Sequence, residues 1–252
     1  MRTSEPIINL PGVITALLAL LVAIQLFVSV APKGLVYPVY DALAFLPLRL
    51  SFALSPQSVL ASLAGGGLGA SAQEEIASAL TLGRGVYLTP VTYALLHGGW
   101  THLAINCMTL MAFGAPVARR LGPMAFLAFF AACAVAGAMA HFALYPLDTA
   151  PVVGASAAIS GTMAALARFA FAPGPRVEEV GARGQATAPL GALGENRQAM
   201  LFVVVWLGAN FLLGAFPEAS GSPGPVAWEA HIGGFVFGLL TFGAFDHLAR
   251  QR

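Results

Sequence analysis

Apolar stretches dominate this sequence, and they recur at a length that fits a membrane. A helix needs about 20 mostly apolar residues to cross the core of a bilayer. Six stretches approach this requirement: residues 11–31, 92–115, 122–145, 153–172, 199–216 and 228–248. They predict an all-α integral membrane protein in which six transmembrane helices form one bundle, with residues 1–252 as a single membrane domain.

The first stretch has a second interpretation, as a secretory signal peptide. Ser29 and Ala31 are small residues at the spacing of a cleavage site. However, Pro32 would directly follow the cut, and the apolar run is longer than the core of an ordinary signal peptide. We therefore expect a retained transmembrane helix.

Two of the connections between the stretches are long. The outer loop 32–91 contains Val39–Leu54, whose mixture of aromatic, aliphatic and single charged residues predicts a segment lying in the membrane interface. Within the same loop, residues 62–71 have the composition of a flexible linker. The inner loop 173–198 is rich in Pro, Gly and charge, which predicts a mobile connection.

The distribution of basic residues predicts the orientation, because Lys and Arg are enriched in cytoplasmic loops. With the N-terminus inside, Lys33, Arg49 and Arg84 lie outside and the other nine of the 12 basic residues lie inside. The inner nine are Arg2, Arg119, Arg120, Arg168, Arg176, Arg183, Arg197, Arg250 and Arg252. We expect a multi-pass protein of a bacterial inner (plasma) membrane with both termini in the cytoplasm.

The composition agrees with a lipid environment. Only 9% of the residues are charged and 58% are hydrophobic, whereas a soluble domain usually carries about 25% charged residues. Membrane lipid is therefore an expected partner, and a formal net charge of +1 gives no reason to expect nucleic acid. Cys107 and Cys133 both lie in apolar runs, which predicts buried thiols rather than a disulfide.

A serine and a histidine lie at the same depth in two different predicted spans. Polar groups within a span are costly, so each of them requires a reason. Ser156 lies three residues into the fourth span and His231 three residues into the sixth. Both spans enter from the outer side, and a helix rises 1.5 Å per residue, so both side chains lie roughly 5 Å below the outer ends.

The second span carries two further polar residues on one face. His102 and Asn106 are spaced i,i+4, which places them on the same side of a helix. The glycines at 98 and 99 indicate that regular helix begins late, near Trp100. This late start would bring His102 to the depth of Ser156.

These residue types suit acyl transfer. A serine hydroxyl needs an adjacent base to act as a nucleophile, and His231 is the natural base. The oxyanion that forms on attack needs preorganised donors, which His102, Asn106 and the backbone N–H of Ser156 can supply. No carboxylate other than Glu229 stands near His231 in the sequence, so we expect a Ser-His dyad rather than a triad.

Small residues would allow the two reacting side chains to approach each other. Residues 154–158 are glycine, alanine and serine alone, and Gly234 and Gly238 form a GxxxG face on the sixth span. Such faces let helix backbones pack tightly. We expect the fourth and sixth spans to cross closely, with Ser156 and His231 at the contact.

Three motifs in this order resemble those of the rhomboid family. The matching residues are His97-x4-His102-x3-Asn106 with Phe113-Gly114 and Arg120-Leu121-Gly122, then Gly154-Ala155-Ser156, then Ala230-His231-x2-Gly234-x3-Gly238. The resemblance implies a rhomboid-like bundle with a water-accessible cavity open to the outside. It also implies an intramembrane serine endopeptidase that cleaves transmembrane protein substrates near their outer ends, with no cofactor and no metal.

The sequence departs from the family pattern at two positions. Ala157 replaces the second glycine of the GxSG motif, and Ser160 stands where many members carry an aromatic residue that packs on the histidine. The second departure predicts a less rigidly held histidine. By itself we interpret Ser160 as a side chain that bonds the helix backbone.

Other functions remain as alternatives. A non-catalytic rhomboid-like binder of membrane substrates would lack the serine or the histidine, and both are present. A transporter or channel would carry polar groups at mid-membrane, whereas those here cluster at the outer side. A zinc protease is disfavoured because no HExxH motif occurs. We assign His97 no catalytic role, and His141 and His247 structural or interfacial ones.

The fifth span is the expected gate for substrates. It is a short apolar run, and the connection after it contains Gly221 and Gly224. Trp206 and Phe211 could block the entrance, although aromatic residues that simply face lipid would look the same in the sequence.

Overall fold

A computed structural model describes residues 9–65, 83–171, 187–216 and 226–251, together with residues 69, 74, 76, 77 and 80. The described residues are almost entirely helical. Their β-structure is a single bridge between Phe45 and Val152. The helical fold class predicted from the sequence is therefore confirmed for this part of the chain.

The described helices of the bundle are α1 (Gly12–Val30), α6 (Trp100–Leu121), α7 (Pro123–Leu144), α8 (Ser156–Ala167), α9 (Leu190–Glu195), α10 (Arg197–Ala215) and α11 (Trp228–Arg250). Four of them, α1, α6, α7 and α11, are long and apolar enough to cross a membrane. Helix α8 and the Arg197–Leu212 part of α10 are apolar but shorter.

The outer loop is largely helical instead of extended. It contains α2 (Lys33–Leu43), α3 (Pro47–Leu54), α4 (Pro56–Ala64) and α5 (Thr89–Thr92), with 3₁₀ turns on either side of α5. The predicted interfacial segment Val39–Leu54 forms the end of α2, the bridge at Phe45 and the whole of α3. The predicted linker 62–71 begins inside α4, and most of its remaining residues lie outside the described part of the chain.

Two predicted spans have different bounds in the structure. The second predicted span corresponds to α6, which begins at Trp100 and not at residue 92, because the apolar residues before Trp100 belong to the protein core. Tyr93 and Leu96 are both about 1% exposed there, and the Tyr93 hydroxyl donates to the Ala134 carbonyl at 2.9 Å. The fourth predicted span corresponds to α8, which begins at Ser156 and ends at Ala167, so Ser156 is the first residue of this helix and not the fourth.

Helix ends follow local sequence signals. Gly122 separates α6 from α7 with a φ of +78°, a conformation that favours glycine, and Pro123 starts the next helix. Asn196 caps α10 by accepting hydrogen bonds from the backbone N–H groups of Gln198 and Ala199. Of the predicted inner loop 173–198, the residues up to 186 lie outside the described part, and α9 lies within the rest.

Helix α8 is the buried centre of the bundle. Nine of its residues are buried: Ala157, Ala158, Ile159, Ser160, Gly161, Thr162, Ala164, Ala165 and Ala167. A helix enclosed by protein needs no lipid-facing length, which explains how α8 can be short.

Glycines bring the backbones around α8 into contact. A Cβ on Gly234 of α11 would overlap the carbonyl group of Ala157, and one on Gly238 would lie 2.5 Å from the carbonyl oxygen of Gly161. The predicted close crossing of the fourth and sixth spans is therefore confirmed. Helix α7 joins the same contact, because a Cβ on Gly137 would lie 2.6 Å from the Cβ of Ala157 and 2.6 Å from the carbonyl oxygen of Ala230.

A buried ion pair joins α6 to α11 at the end of the bundle opposite to the start of α8. Arg120 donates to both carboxylate oxygens of Asp246, each at 2.8 Å, and the Thr187 hydroxyl donates to the same carboxylate at 2.6 Å. Arg120 is only 1% exposed. Arg120, one of the basic residues expected on the inner side, thus also holds two helices together.

The two cysteines are free, and their environments differ. Cys133 is fully buried against Gly161, as predicted. Cys107 is only half-buried, so the prediction of a buried thiol is wrong there. Cys107 follows the buried Asn106 on α6, and one step along a helix turns the side chain by roughly 100°, which places Cys107 at the edge of the core.

Candidate active site

Three helices begin beside one cavity. Helices α6, α8 and α11 start at Trp100, Ser156 and Trp228, and their first turns line a cavity of about 730 Å³ together with residues of the outer loop and the α7–α8 connection. The cavity contains the side chains of His102, Asn106, Ser156 and His231. Helix starts present unpaired backbone N–H groups, so this end of the bundle suits a developing negative charge.

A glycine shapes the approach to Ser156. Gly154 has a φ of +121°, where other residues are strained, and its N–H donates to the Tyr93 carbonyl at 3.0 Å. A Cβ on Gly154 would lie 2.8 Å from the His102 ring and 3.7 Å from Ser156 Oγ. The glycine thus lets the His102 ring lie next to the serine hydroxyl.

Ser156 and His231 meet at the crossing of α8 and α11. The distance from Ser156 Oγ to His231 Nε2 is 2.6 Å, within hydrogen-bonding range. Both residues are half-buried. The predicted proximity of these side chains is confirmed, and their catalytic role stays a prediction.

The other nitrogen of His231 contacts a residue that the sequence analysis missed. His231 Nδ1 lies 2.7 Å from Oδ1 of Asn210, which is on α10. Asn210 could have been found from the sequence, because it is the one asparagine in the apolar stretch 199–216. Glu229, the carboxylate nearest to His231 in the sequence, instead lies 3.5 Å from His141.

A backbone hydrogen bond defines which nitrogen of the His102 ring carries the proton. His102 Nδ1 accepts a hydrogen bond from the backbone N–H of Gly98 at 3.3 Å, which leaves the ring proton on Nε2. That nitrogen is one of the two His102 atoms that a Cβ on Gly154 would meet at 2.8 Å, beside Ser156. The late start of α6, expected from the glycines before Trp100, brings His102 to this level.

Asn106 is buried one turn below His102. Its Nδ2 donates to the His102 carbonyl at 2.9 Å, and the residue is 3% exposed. A side-chain amide carries two hydrogens on nitrogen, so a second donor remains for the cavity.

Three further polar residues, Ser160, His97 and His247, lie outside the contact between Ser156 and His231. Ser160 donates to the Ser156 carbonyl at 2.8 Å, so its predicted bond to the helix backbone is confirmed. His97, which precedes α6, is buried with its ring edge-on to that of His102 at 5.1 Å. Burial, with His102 as a second cause, lowers the pKa of His97 to about 3. His247 is exposed at the far end of α11, where it contacts Gln251.

His141 lies on the opposite side of the cavity between two carboxylates. Its ring nitrogens lie 3.5 Å from Asp148 and 3.5 Å from Glu229. Among the described residues, no three His, Cys, Asp or Glu side chains are grouped so that they could hold a metal ion. Independence from metals stays a prediction.

Together these features define a class of protein: a helical membrane protein with a serine and a histidine in contact at the bottom of a cavity. The chain belongs to the rhomboid family, because the family model described as Rhomboid domain matches residues 84–245, well over half of the sequence.

Two proteins of Bacillus subtilis (strain 168) are similar to part of the chain. "Putative rhomboid protease YdcA" is 37% identical over 82 residues, which cover 32% of this chain and 41% of that protein. "Rhomboid protease GluP" is 39% identical over 79 residues, which cover 31% of this chain and 14% of that protein. The chain thus spans less than half of the length of these curated relatives.

Proposed function

We propose that this protein is an intramembrane serine endopeptidase that cleaves transmembrane protein substrates with a Ser156–His231 pair. The observation that carries the proposal is the 2.6 Å distance between Ser156 Oγ and His231 Nε2 beside a cavity that His102 and Asn106 also line. Membership of the rhomboid family and similarity to proteins named as rhomboid proteases support it.

The reaction follows from the positions of the donors and acceptors. His231 Nε2 takes the proton of Ser156 as the oxygen attacks the carbonyl carbon of the substrate peptide bond. The oxyanion is stabilised by the backbone N–H of Ser156, by His102 Nε2–H and by Asn106 Nδ2–H. The imidazolium of His231 then protonates the leaving amine, and water, activated by the same ring, hydrolyses the acyl-enzyme.

The site belongs at the outer face in this proposal. The basic residues Arg119, Arg120, Arg168, Arg197 and Arg250 lie at helix ends away from the site: the ends of α6, α8 and α11 and the start of α10. By the positive-inside rule that end is cytoplasmic. The six apolar helices then lie in a bacterial inner membrane with both termini cytoplasmic, and α8 is a shorter helix enclosed by the others.

The expected substrates are other membrane proteins, since a lipid-embedded site is reached most directly from the bilayer. Water enters from the outer side through the cavity, which hydrolysis requires because hydrocarbon contains none. A non-catalytic binder of membrane proteins is the alternative function. The contact between Ser156 and His231 favours catalysis, because binding alone needs no such pair.

A fluorophosphonate probe tests the proposal directly. The purified protein should react at Ser156, and Ser156→Ala should lose both the label and cleavage of a model transmembrane substrate. Ser160→Ala is the matched control, because this serine lies one turn away on α8 and donates to the helix backbone. Full cleavage by Ser156→Ala, or labelling at Ser160, would exclude the proposed nucleophile.

A further inference from the structure

Asn210 is a buried amide on a helix that otherwise presents apolar side chains. It is 5% exposed, whereas its neighbours Val204, Val205 and Phe211 are 57%, 61% and 67% exposed. An amide within a membrane helix is costly unless its hydrogen-bonding groups are satisfied, and such residues usually face the bundle interior. Asn210 faces inward, towards His231.

The hydrogen bonds of Asn210 determine where the protons of His231 are. Asn210 Nδ2 donates to the Trp206 carbonyl at 2.9 Å, so Oδ1 is the atom that faces His231. An oxygen accepts, and therefore the hydrogen of the 2.7 Å contact belongs to His231 Nδ1. In the neutral ring, Nε2 then carries the lone pair and points it at Ser156 Oγ, 2.6 Å away.

We propose that Asn210 is a positioning residue that holds His231 in the base-competent tautomer and orientation, giving a Ser156–His231–Asn210 constellation. The inference rests on the proposed function. It changes the expected dyad into a triad whose third member is neutral. A neutral amide orients the ring without placing a charge inside the membrane, where a carboxylate would carry a large desolvation cost.

No other described side chain does this for His231. Ser160, one turn after Ser156, uses its hydroxyl on the Ser156 carbonyl and not on the ring. Glu229 faces His141. The hold on the histidine, expected to be weak because Ser160 replaces an aromatic residue, is therefore supplied from α10.

Helix α10 is docked on α11 on both sides of Asn210. One turn before it, the ring of Trp206 stacks on Phe235 with 4.0 Å between centroids and 16° between planes. One turn after it, Gly214 lies against Trp228, whose ring a Cβ at 214 would approach to 2.7 Å. These two contacts set the distance between Asn210 and His231, so displacing α10 would release the ring.

The experiment compares three variants of the full-length protein with wild type. Asn210→Ala removes the acceptor, and kcat should fall about 10–100-fold. This is less than the roughly 10²–10⁴-fold contribution of a general base, because the histidine itself is kept. KM for a transmembrane substrate should be unchanged. Fluorophosphonate labelling of Ser156 should slow by the same factor. Leu207→Ala on the lipid-facing side of α10 is the control and should retain wild-type rates, since Leu207 is 43% exposed.

Asn210→Asp separates positioning from packing. The carboxylate still accepts from Nδ1 and adds a negative charge beside the ring, so part of the rate lost in Asn210→Ala should return. The acid limb of the pH profile of kcat/KM should also move to higher pH, because the anion stabilises the imidazolium. A merely structural role would leave this limb in place.

The outcomes distinguish this inference from the proposed function. If Asn210→Ala cleaves and labels at wild-type rates while Ser156→Ala is inactive, the positioning role is wrong and the serine protease proposal stands. If Asn210→Asp shows an unmoved acid limb, the positioning role is also wrong, even where Asn210→Ala fails to fold. Retained cleavage by Ser156→Ala would contradict both the serine protease proposal and the positioning role of Asn210.

Discussion

At the scale of single residues, His102 and Asn106 offer two side-chain donors to the cavity that Ser156 also lines. His102 Nε2 lies across the Gly154 backbone from the serine, and Asn106 has a second amide hydrogen beyond its 2.9 Å bond to the His102 carbonyl. These groups are fixed before a substrate arrives. Preorganised donors of this kind stabilise the transition state most, because they need no reorganisation during the reaction.

We predict that His102→Ala and Asn106→Ala each lower kcat by roughly 10²–10³-fold, the usual effect of losing one oxyanion donor. The nucleophile and base remain, so slow labelling of Ser156 by a fluorophosphonate should persist in both variants. Met108→Ala on the same helix, a side chain 65% exposed, should cleave at the wild-type rate. Wild-type kcat in both variants would mean that the donors lie elsewhere.

At the scale of helices, the contact between α8 and α11 fixes the geometry of the reacting pair. Ser156 is the first residue of α8, and His231 lies one turn before Gly234 on α11. Gly234 packs directly on the Ala157 carbonyl group. The depth at which the two helices touch therefore sets the distance between the serine and the histidine.

We predict that Gly234→Ala destabilises the protein by about 1–3 kcal/mol, the usual cost of overpacking, and separates Ser156 from His231. Gly208→Ala is the matched control, because no atom lies within 4 Å of a Cβ at that position on α10. Thermal unfolding in detergent and the rate of Ser156 labelling measure the two effects. If Gly234→Ala and Gly208→Ala had the same unfolding temperature and the same rate of Ser156 labelling, the contact between α8 and α11 would not set the geometry of the site.

At the scale of the whole molecule, the prediction that α10 is the gate for substrates concerns how this helix packs on its neighbours. The expected blocking residues have different positions: Trp206 is buried against Phe235, and Phe211 is 67% exposed. The aromatic contact between α10 and α6 is made by Phe202, whose ring lies 6.0 Å from that of Phe113. An opening between α6 and α10 would separate these two rings, whereas Trp206 faces α11.

We predict that a short crosslink between cysteines placed at 113 and 202 blocks cleavage of a transmembrane substrate. Hydrolysis of a soluble peptide and labelling of Ser156 should continue, because water and small molecules enter through the outer cavity. The two variants that carry only one of these introduced cysteines, and the wild type with its free Cys107 and Cys133, are treated with the same reagent as controls. Undiminished transmembrane cleavage after complete crosslinking would place the gate elsewhere.

The sequence by itself determined the features that depend on local composition and helix geometry. Apolar length predicted the helices, because lipid requires backbone hydrogen bonds to be satisfied within each segment. Counting residues from the ends of the spans placed Ser156 and His231 at one depth, and the Gly234 and Gly238 pattern predicted the crossing that joins them. The i,i+4 spacing placed His102 and Asn106 on one face.

Only the tertiary structure decided which residues from separate helices meet. Asn210 has no sequence relation to His231, and the docking of α10 through Trp206 and Gly214 brings the two side chains together. Apolarity alone also cannot distinguish burial in protein from burial in lipid, since both remove water from a side chain in the same way. For that reason the burial of Tyr93 and Leu96 before α6, the shortness of α8 and the inward position of Trp206 followed only from the packed bundle.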